Sequence, residues 1–382
     1  MSTLITLAAA VFAFGIMITF HEFGHFICAK LSGIQVNELS IGMGPALFKK
    51  VYKGTQYSLR ALPIGGYVAM EGEDSAEAVG PQQEAEARRA AEAASAPTEP
   101  DAEDEYNPVP TSQCIGKPFN EASLPARAVT IAAGAVMNFV LAFLVLLLIV
   151  CGQDAITSRV VYSIEEGALC GQTGLQPDDE ILAVNDHTCY VADDIVYELT
   201  RTPNYSADFT VRRDGKVIEL DDVRFDTWVD EAGNTHMALK FVVYGLQKTP
   251  LRVLREAFNY ERYYGRIVFL SLSDMARGRA SINDLSGPVG IVTAIGEAAG
   301  YGLENFLTLL ALLSVNLGIM NLLPLPALDG GKLVFLAWEG ITKKPVSSKV
   351  QEYTSLIGLA LLIALMLFAT YNDVIRLFTG RM

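Results

Sequence analysis

Residues 2–25 read STLITLAAAVFAFGIMITFHEFGH, an uncharged apolar run that ends in two histidines and a glutamate. The run from Ser2 to Phe20 is about as long as a helix that spans a bilayer. A cleaved leader is disfavoured because no basic region precedes the run, which continues directly into charged and histidine side chains. The stretch therefore predicts a membrane helix that carries a polar cluster at one end.

Three further uncharged stretches predict three more spans, namely Ala128–Gln153, Asn305–Leu328 and Tyr353–Asn372. Apolar residues make up 51% of the 382 residues and charged residues only 19%, which argues against a purely soluble enzyme. The net charge is -14, and twelve acidic residues between Glu71 and Tyr106 supply most of the excess. No basic face for nucleic acid is expected, because 29 basic residues oppose 43 acidic ones.

The basic residues set the expected orientation. They cluster after the first span and between the third and fourth spans, and these loops should therefore be cytoplasmic. The residues concerned are Lys30, Lys49, Lys50, Lys53, Arg60, Lys343, Lys344 and Lys349. The loop from about Asp154 to Gly300 should then lie outside the cytoplasm.

Local sequence patterns predict the structure of the segments between the spans. Glycine and proline punctuate short β-prone pieces between Val36 and Met70, which indicates hairpins. The acidic segment has almost no large apolar side chains, so we expect it to be disordered. Two β-prone runs flank Asp214-Gly215, a pair that favours a tight hairpin turn. Apolar residues recur at helical spacing from Pro250 to Met275, as in a helix that lies on a membrane surface.

The expected fold class is an α-helical membrane protein with four transmembrane helices, a membrane-associated β-hairpin region and one extracytoplasmic α+β domain. The predicted segments are 1–30 (first transmembrane helix), 31–70 (β-hairpin region), 71–118 (acidic cytoplasmic loop), 119–153 (second transmembrane helix), 154–249 (extracytoplasmic domain), 250–300 (membrane-surface helices), 301–331 (third transmembrane helix), 332–352 (cytoplasmic loop) and 353–382 (fourth transmembrane helix and tail).

The motif most directly linked to chemistry is His21-Glu22-Phe23-Gly24-His25, an H-E-x-x-H match. Residues four apart lie on one face of a helix, so both imidazoles can reach one metal ion while Glu22 acts as a general base. This is the pattern of zinc metalloproteases. The alternative is a pair of interfacial histidines that contact lipid headgroups, beside a glutamate that extends to water. Three ionisable side chains lie within one five-residue stretch of this span. Because such side chains are costly in a membrane helix, they favour a functional role.

A catalytic zinc ion usually has three protein ligands, so a third is expected at the same membrane depth. His187 and His236 fall in the extracytoplasmic loop, on the opposite side of the membrane. Asp329, at the inner end of the third span, is the best candidate, and an ordinary helix-ending aspartate is the alternative. Asn316 and Asn321 could donate to a substrate carbonyl or could join helices, and Asn138 is more typical of a contact between helices.

With these residues in view, the chain resembles the site-2 protease family of intramembrane zinc metalloproteases, in its bacterial regulator of sigma-E protease branch. H-E-F-G-H at 21–25 looks like the family zinc motif, and SVNLGIMNLLPLPALDGG at 314–331 looks like its second signature. The resemblance implies that zinc binds His21, His25 and Asp329, that Glu22 is the base, and that both asparagines of the second signature hold substrate.

Two other regions share this resemblance. Residues 42–45 and 62–68, with Gly42, Gly44, Gly65 and Gly66, are similar to a membrane-associated hairpin that pairs with unwound substrate. Residues 174–185 resemble a PDZ domain, so the extracytoplasmic domain is expected to be PDZ-like. The family's usual Pro-Gly-Asp and Asn-Gly turns read Pro-Asp-Asp at 177–179 and Asn-Asp at 185–186 in this chain.

The implied function is cleavage of the transmembrane segments of single-span proteins, such as anti-sigma factors, after an upstream site-1 protease has trimmed them. The implied localisation is the cell membrane, with the active site toward the cytoplasm. Two alternatives stay open at this point. One is a catalytically silent scaffold with a peptide-binding PDZ domain, and the other is a metal transporter. Cys170 and Cys189 share the predicted outer domain and could form a disulfide.

Overall fold

The structure, a computed structural model, describes residues 3–73, 115–230, 233–279 and 286–379. The chain divides into two units, one comprising Met1–Ala142 and Asp274–Met382 and the other Phe143–Ser273. The helices are α1 (Thr3–Leu31), α2 (Leu124–Gly152), α3 (Leu169–Gln172), α4 (Ala192–Thr200), α5 (Pro250–Ala276), α6 (Pro288–Tyr301), α7 (Leu303–Leu322), α8 (Asp329–Thr342) and α9 (Ser348–Thr379). The strands are β1 (Val36–Tyr52), β2 (Thr55–Met70), β3 (Ile156–Ile164), β4 (Glu180–Val184), β5 (His187–Thr188), β6 (Ser206–Arg213), β7 (Lys216–Arg224), β8 (Asp226–Val229), β9 (Thr235–Ala238) and β10 (Phe241–Leu246).

Helices α1, α2, α7 and α9 are long and apolar enough to cross a membrane, and each contains one of the four predicted spans or most of it. Large apolar side chains on α9 are exposed, among them Leu361 and Leu367, as expected of a helix face that contacts lipid. Helix α1 continues past its apolar run to Leu31, so the whole H-E-x-x-H motif is helical. The acidic segment predicted over 71–118 lies mostly outside the described residues.

Helix α7 ends at Leu322, earlier than the uncharged stretch that predicted the third span. Pro324 explains this end, because proline lacks an N–H group and favours an extended residue before it. Leu323 is indeed extended, with φ -64° and ψ 145°. The third predicted segment is therefore not one helix, because Asp329 begins a new helix, α8. That helix also occupies much of the segment predicted as a cytoplasmic loop.

The hairpin region contains two long strands rather than several short hairpins. Strands β1 and β2 pair through a turn at Lys53-Gly54, where both residues have positive φ. The pairing shifts register repeatedly, so that Leu39 has both Tyr57 and Val68 as partners. The first residues of β1 are buried as a result, while its later residues are exposed.

The second unit contains a sheet with strand order β10-β3-β4-β6-β7, and β5 pairs with β4. The predicted hairpin around Asp214-Gly215 is confirmed: Arg213 pairs with Lys216, and both turn residues have positive φ. Strands β8 and β9 form a separate pair. The core is apolar and includes the fully buried side chains of Phe209 and Ile181.

Both turns that depart from the family pattern keep the backbone conformation that glycine would favour. Asp178 has φ 66°, and the next residue, Asp179, is fully buried in an ion pair with Arg213 at 2.7 Å. Asn185 and Asp186 have φ values of 47° and 64°, and they connect β4 to β5 as a two-residue turn. Asparagine and aspartate tolerate this region better than other non-glycine residues, so the substitutions preserve the turns.

Cys170 and Cys189 do not form a disulfide. Both are buried free thiols, and each donates to a different backbone carbonyl, Leu239 and His187 respectively. Burial raises the pKa of the Cys189 thiol to about 12, which makes it unreactive at neutral pH. The disulfide that the sequence allowed between these two cysteines is therefore not formed.

Helix α5 covers the predicted helix over 250–275 and packs within the second unit. Arg266 of α5 forms ion pairs with Asp194 and Glu198 of α4. Burial also raises the pKa of both Glu256 and Glu261 to about 7. The ion pairs of Arg266 therefore anchor α5 to α4.

Candidate metal centre

Helix α1 presents the two histidines of the H-E-x-x-H motif on one face, as their spacing predicts. The Nε2 atoms of His21 and His25 are 3.2 Å apart. The Oδ2 atom of Asp329 lies 3.3 Å from each of them. The three side chains expose only 10–17% of their surface. Among the His, Cys, Asp and Glu side chains that the structure describes, these three bring their ligand atoms close enough together to hold one metal ion.

The spacing of these three atoms fits zinc. A tetrahedral zinc ion with bonds of about 2.0–2.1 Å holds its ligand atoms about 3.3 Å apart. The Oδ2 atom of Asp329 is also buried and has no hydrogen-bond partner among the described residues. A buried carboxylate oxygen without a partner is costly unless a cation is bound there. Two imidazoles and one carboxylate form a three-ligand donor set of the kind that catalytic zinc sites use.

Each histidine also has a partner on its outer ring nitrogen. The Nδ1 atom of His25 is 2.9 Å from the backbone carbonyl of Thr130, and Nδ1 of His21 is 3.2 Å from the side-chain amide of Asn138. Both partners belong to α2. Such contacts orient metal-binding histidines and select which nitrogen carries the proton. Asn138 joins two helices, as expected from the sequence, but its partner His21 was not predicted. A polar side chain in an apolar span was the available signal.

Helices α1 and α2 approach closely because small residues lie between them. A β-carbon added to Gly134 would lie 2.3 Å from Nε2 of His25, and one added to Gly24 would lie 2.2 Å from the Ala133 carbonyl oxygen. Atoms cannot approach this closely without displacement. The absence of a side chain at Gly134 therefore leaves the space that the imidazoles occupy.

Asp329 reaches the histidines from the first turn of α8, and a separate ion pair holds that helix. Arg127 of α2 donates two hydrogen bonds to the carboxylate of Glu339 on α8. A two-point arginine–carboxylate pair fixes orientation as well as distance. Helix α2 therefore contacts both histidines and also holds the helix that supplies the third candidate ligand, the carboxylate of Asp329.

Glu22 is half-buried and lies outside the three-atom cluster. A β-carbon added to Gly66 of β2 would be 3.5 Å from Cγ of Glu22, so the strand passes directly beside this carboxylate. Gly65, Gly42 and Gly44 all have positive φ, and the β1–β2 contacts around them involve Met43 and Leu62. Of the glycines predicted to bind substrate, Gly66 is the one that the structure brings next to Glu22.

The other predicted residues are not part of this three-residue cluster. Asn316 is exposed on α7 and Asn321 is half-buried, and among the described residues no hydrogen bond joins either to the candidate ligands. His187 and His236 both lie in the sheet-containing unit, and His236 pairs with Asp230 at 2.9 Å. The cluster therefore consists of one aspartate and the two motif histidines.

A converging His-His-Asp set with an adjacent glutamate defines the class of membrane metalloproteases, in a chain whose described residues include four helices long and apolar enough to cross a membrane. The model of peptidase family M50 matches residues 9–365, and the chain belongs to this family, the site-2 protease family of zinc metalloproteases. It is 30% identical to the regulator of sigma-W protease RasP of Bacillus subtilis, over 98% of this chain and 99% of that protein. It is also 30% identical to the zinc metalloprotease RasP of Oceanobacillus iheyensis, with the same coverage.

These findings decide between the functional alternatives. The chain is a zinc metalloprotease and a multi-pass membrane protein. Neither the silent scaffold nor the metal transporter is supported, because relatives that match almost the whole chain are metalloproteases.

Proposed function

We propose that this zinc metalloprotease cleaves the transmembrane segments of single-span membrane proteins. The observation that carries the proposal is the convergence of His21, His25 and Asp329 within 3.2–3.3 Å of one another, beside an apolar helix long enough to cross a membrane. A site built at the end of such a helix is within reach of other transmembrane segments. It is poorly placed for proteins that stay in water.

In this proposal His21, His25 and Asp329 bind the ion, and Glu22 is the general base. Bound zinc would activate a water molecule and polarise the peptide carbonyl. Glu22 accepts a proton from the attacking water and later passes it to the leaving amine, a role for which a carboxylate beside the ligands is suited. Asn316 and Asn321 donate hydrogen bonds to the substrate backbone from α7.

A substrate helix must unwind before cleavage, because its carbonyls are bonded within the helix and covered by side chains. The freed backbone groups then need new partners in an apolar environment. Strand β2 can provide them by strand addition, because Gly66 lies beside Glu22 and Gly65 precedes it along the strand. The turns at Gly42 and Gly44 shape the neighbouring part of β1. An extended substrate on this strand would pass within reach of the proposed base.

The substrates that we propose are membrane-bound anti-sigma factors, because one relative is named a regulator of sigma-W protease. We further propose that an upstream site-1 protease trims the same substrate first. The sheet domain of the second unit would be PDZ-like and would admit only trimmed substrates. Its strand β10 lies at the edge of the sheet, where PDZ domains add a peptide strand.

We propose that the chain resides in the cell membrane, with the metal centre toward the cytoplasm and the sheet domain outside. Lysines after α1 and between α8 and α9 support this orientation, because basic loops stay cytoplasmic. Helix α5 would lie on the outer membrane surface. Labelling of single-cysteine variants in intact cells with an impermeant reagent tests the orientation, and labelling of a cysteine placed at Lys343 would contradict it.

The function can be tested with the purified full-length chain in liposomes and a single-span anti-sigma factor as substrate. We expect cleavage inside the span of a substrate whose extracytoplasmic part has been removed, and little cleavage of the intact substrate. Removal of zinc with a chelator should stop cleavage, and added zinc should restore it, because the ion activates the attacking water.

Different results would contradict different parts of the proposal. Cleavage that continues after zinc removal, or that occurs only outside the span, would overturn the assignment as an intramembrane zinc protease. Equal cleavage of trimmed and intact substrates would remove only the selecting role of the sheet domain.

A further inference from the structure

The two histidines of the metal centre differ in the group that contacts Nδ1, the ring nitrogen that does not face Asp329. Thr130 offers a backbone carbonyl to His25, and a carbonyl can only accept a hydrogen bond. Asn138 offers a side-chain amide to His21, and an amide can donate through nitrogen or accept through oxygen. The Nε2 atoms of both rings face Asp329. Metal binding through Nε2 requires the proton of each neutral ring to sit on Nδ1, which must then donate.

The Asn138 amide has Nδ2 toward His21, and its Oδ1 atom is buried with no partner among the described residues. With the proton on Nδ1 of His21, two donors would face each other across 3.2 Å. Rotation of the amide by half a turn removes this conflict and gives Oδ1 a donor. The two orientations occupy nearly the same space, so the choice between them follows from the hydrogen bonds.

We propose that Asn138 is a positioning residue for the metal centre: its side-chain oxygen accepts the Nδ1 proton of His21 and thereby turns the unprotonated Nε2 toward the metal. This inference rests on the metal site proposed above. Asn138 does not touch the ion or the reacting atoms, so its effect passes through His21. The carbonyl of Thr130 plays the corresponding part for His25.

Asn138 is buried, and its backbone contact is separate from its side-chain contact with His21. Its exposed fraction is 0%, and its backbone carbonyl accepts a 2.8 Å hydrogen bond from the hydroxyl of Ser314 on α7. Ser314 is also fully buried. The contact of Asn138 with α7 therefore uses its backbone oxygen, which leaves its side chain available to His21 of α1.

Loss of such an outer contact typically weakens metal affinity about 10- to 100-fold. The variant Asn138→Leu keeps a similar volume and cannot accept a hydrogen bond, so we expect a loss of zinc affinity in that range. Asn138→Asp keeps the acceptor and loses the donor, so we expect zinc affinity equal to or tighter than that of the wild type. Ser314→Ala removes the bond between helices but not the amide, and should keep the wild-type affinity.

The test is zinc affinity by chelator competition on full-length protein in detergent, with thermal unfolding measured in parallel. Wild-type affinity in Asn138→Leu would overturn the inference. So would a loss of ten-fold or more in Asn138→Asp, and this variant decides the matter if the leucine variant does not fold. Asp329→Ala separates the two proposals: if it binds zinc like the wild type, the metal site itself is wrong.

Discussion

Glu22→Gln should abolish cleavage while the protein keeps its zinc. Glutamine is almost the same size as glutamate but cannot accept the proton of the attacking water. The Glu22 carboxylate lies outside the set of three converging ligand atoms, so the metal should stay bound. General-base catalysis contributes about 10²–10⁴-fold to rate, and a loss of that size would take cleavage below detection in most assays.

The measurement is cleavage of a co-expressed single-span substrate, with zinc content determined on the purified variant. Glu121→Gln is a matched control, because Glu121 is exposed and lies in the same unit. We expect this control to cleave at the wild-type rate. Persistent cleavage by Glu22→Gln would show that another group is the base, and loss of zinc from this variant would show that Glu22 is a ligand.

Gly134→Ala should remove both zinc and activity although it adds a single methyl group. That carbon would lie 2.3 Å from Nε2 of His25 and 2.7 Å from Cε1 of His21, so the ligand atoms themselves must move. Overpacking of this kind costs about 1–3 kcal/mol where neighbours can adjust. Here the adjustment would separate the ligands, so the effect on zinc binding should exceed the effect on folding.

Zinc content and thermal unfolding of the purified variant test this expectation. Gly152→Ala is the matched control, because Gly152 belongs to the same helix and an added β-carbon there meets no atom within 4 Å. The control should keep its zinc and its stability. Full zinc occupancy in Gly134→Ala would mean that α1 and α2 are not packed as described.

Much of the metal centre could be predicted from the sequence. The features that predict it are either spacings within a few residues or the apolar composition of a segment. The four-residue spacing of His21 and His25 fixes their common helix face, and membrane depth singled out Asp329. The break before Asp329 also follows from local sequence, through Pro324. By contrast, the contacts of Thr130 and Asn138 depend on how α2 packs on α1, and no periodicity within either helix encodes that packing.

The hairpin region illustrates the same limit. Its β-prone pieces were visible in the sequence, but their union into two long strands depends on contacts between distant residues. One example is Arg60, which pairs with the buried Glu38 at 3.0 Å and also hydrogen-bonds Tyr67. Burial, together with the bond to Glu38, raises the pKa of Tyr67 to about 12, so its hydroxyl stays protonated. This buried polar network holds β1 against the strand that passes Glu22.

The central claim is that His21, His25 and Asp329 bind a single zinc ion together. Its most direct test is elemental analysis of zinc in the purified wild type and in Asp329→Ala, both shown to be folded. We predict one zinc ion per wild-type chain and a large loss in the variant, because two histidines alone bind zinc weakly. Wild-type zinc content in Asp329→Ala would contradict the claim.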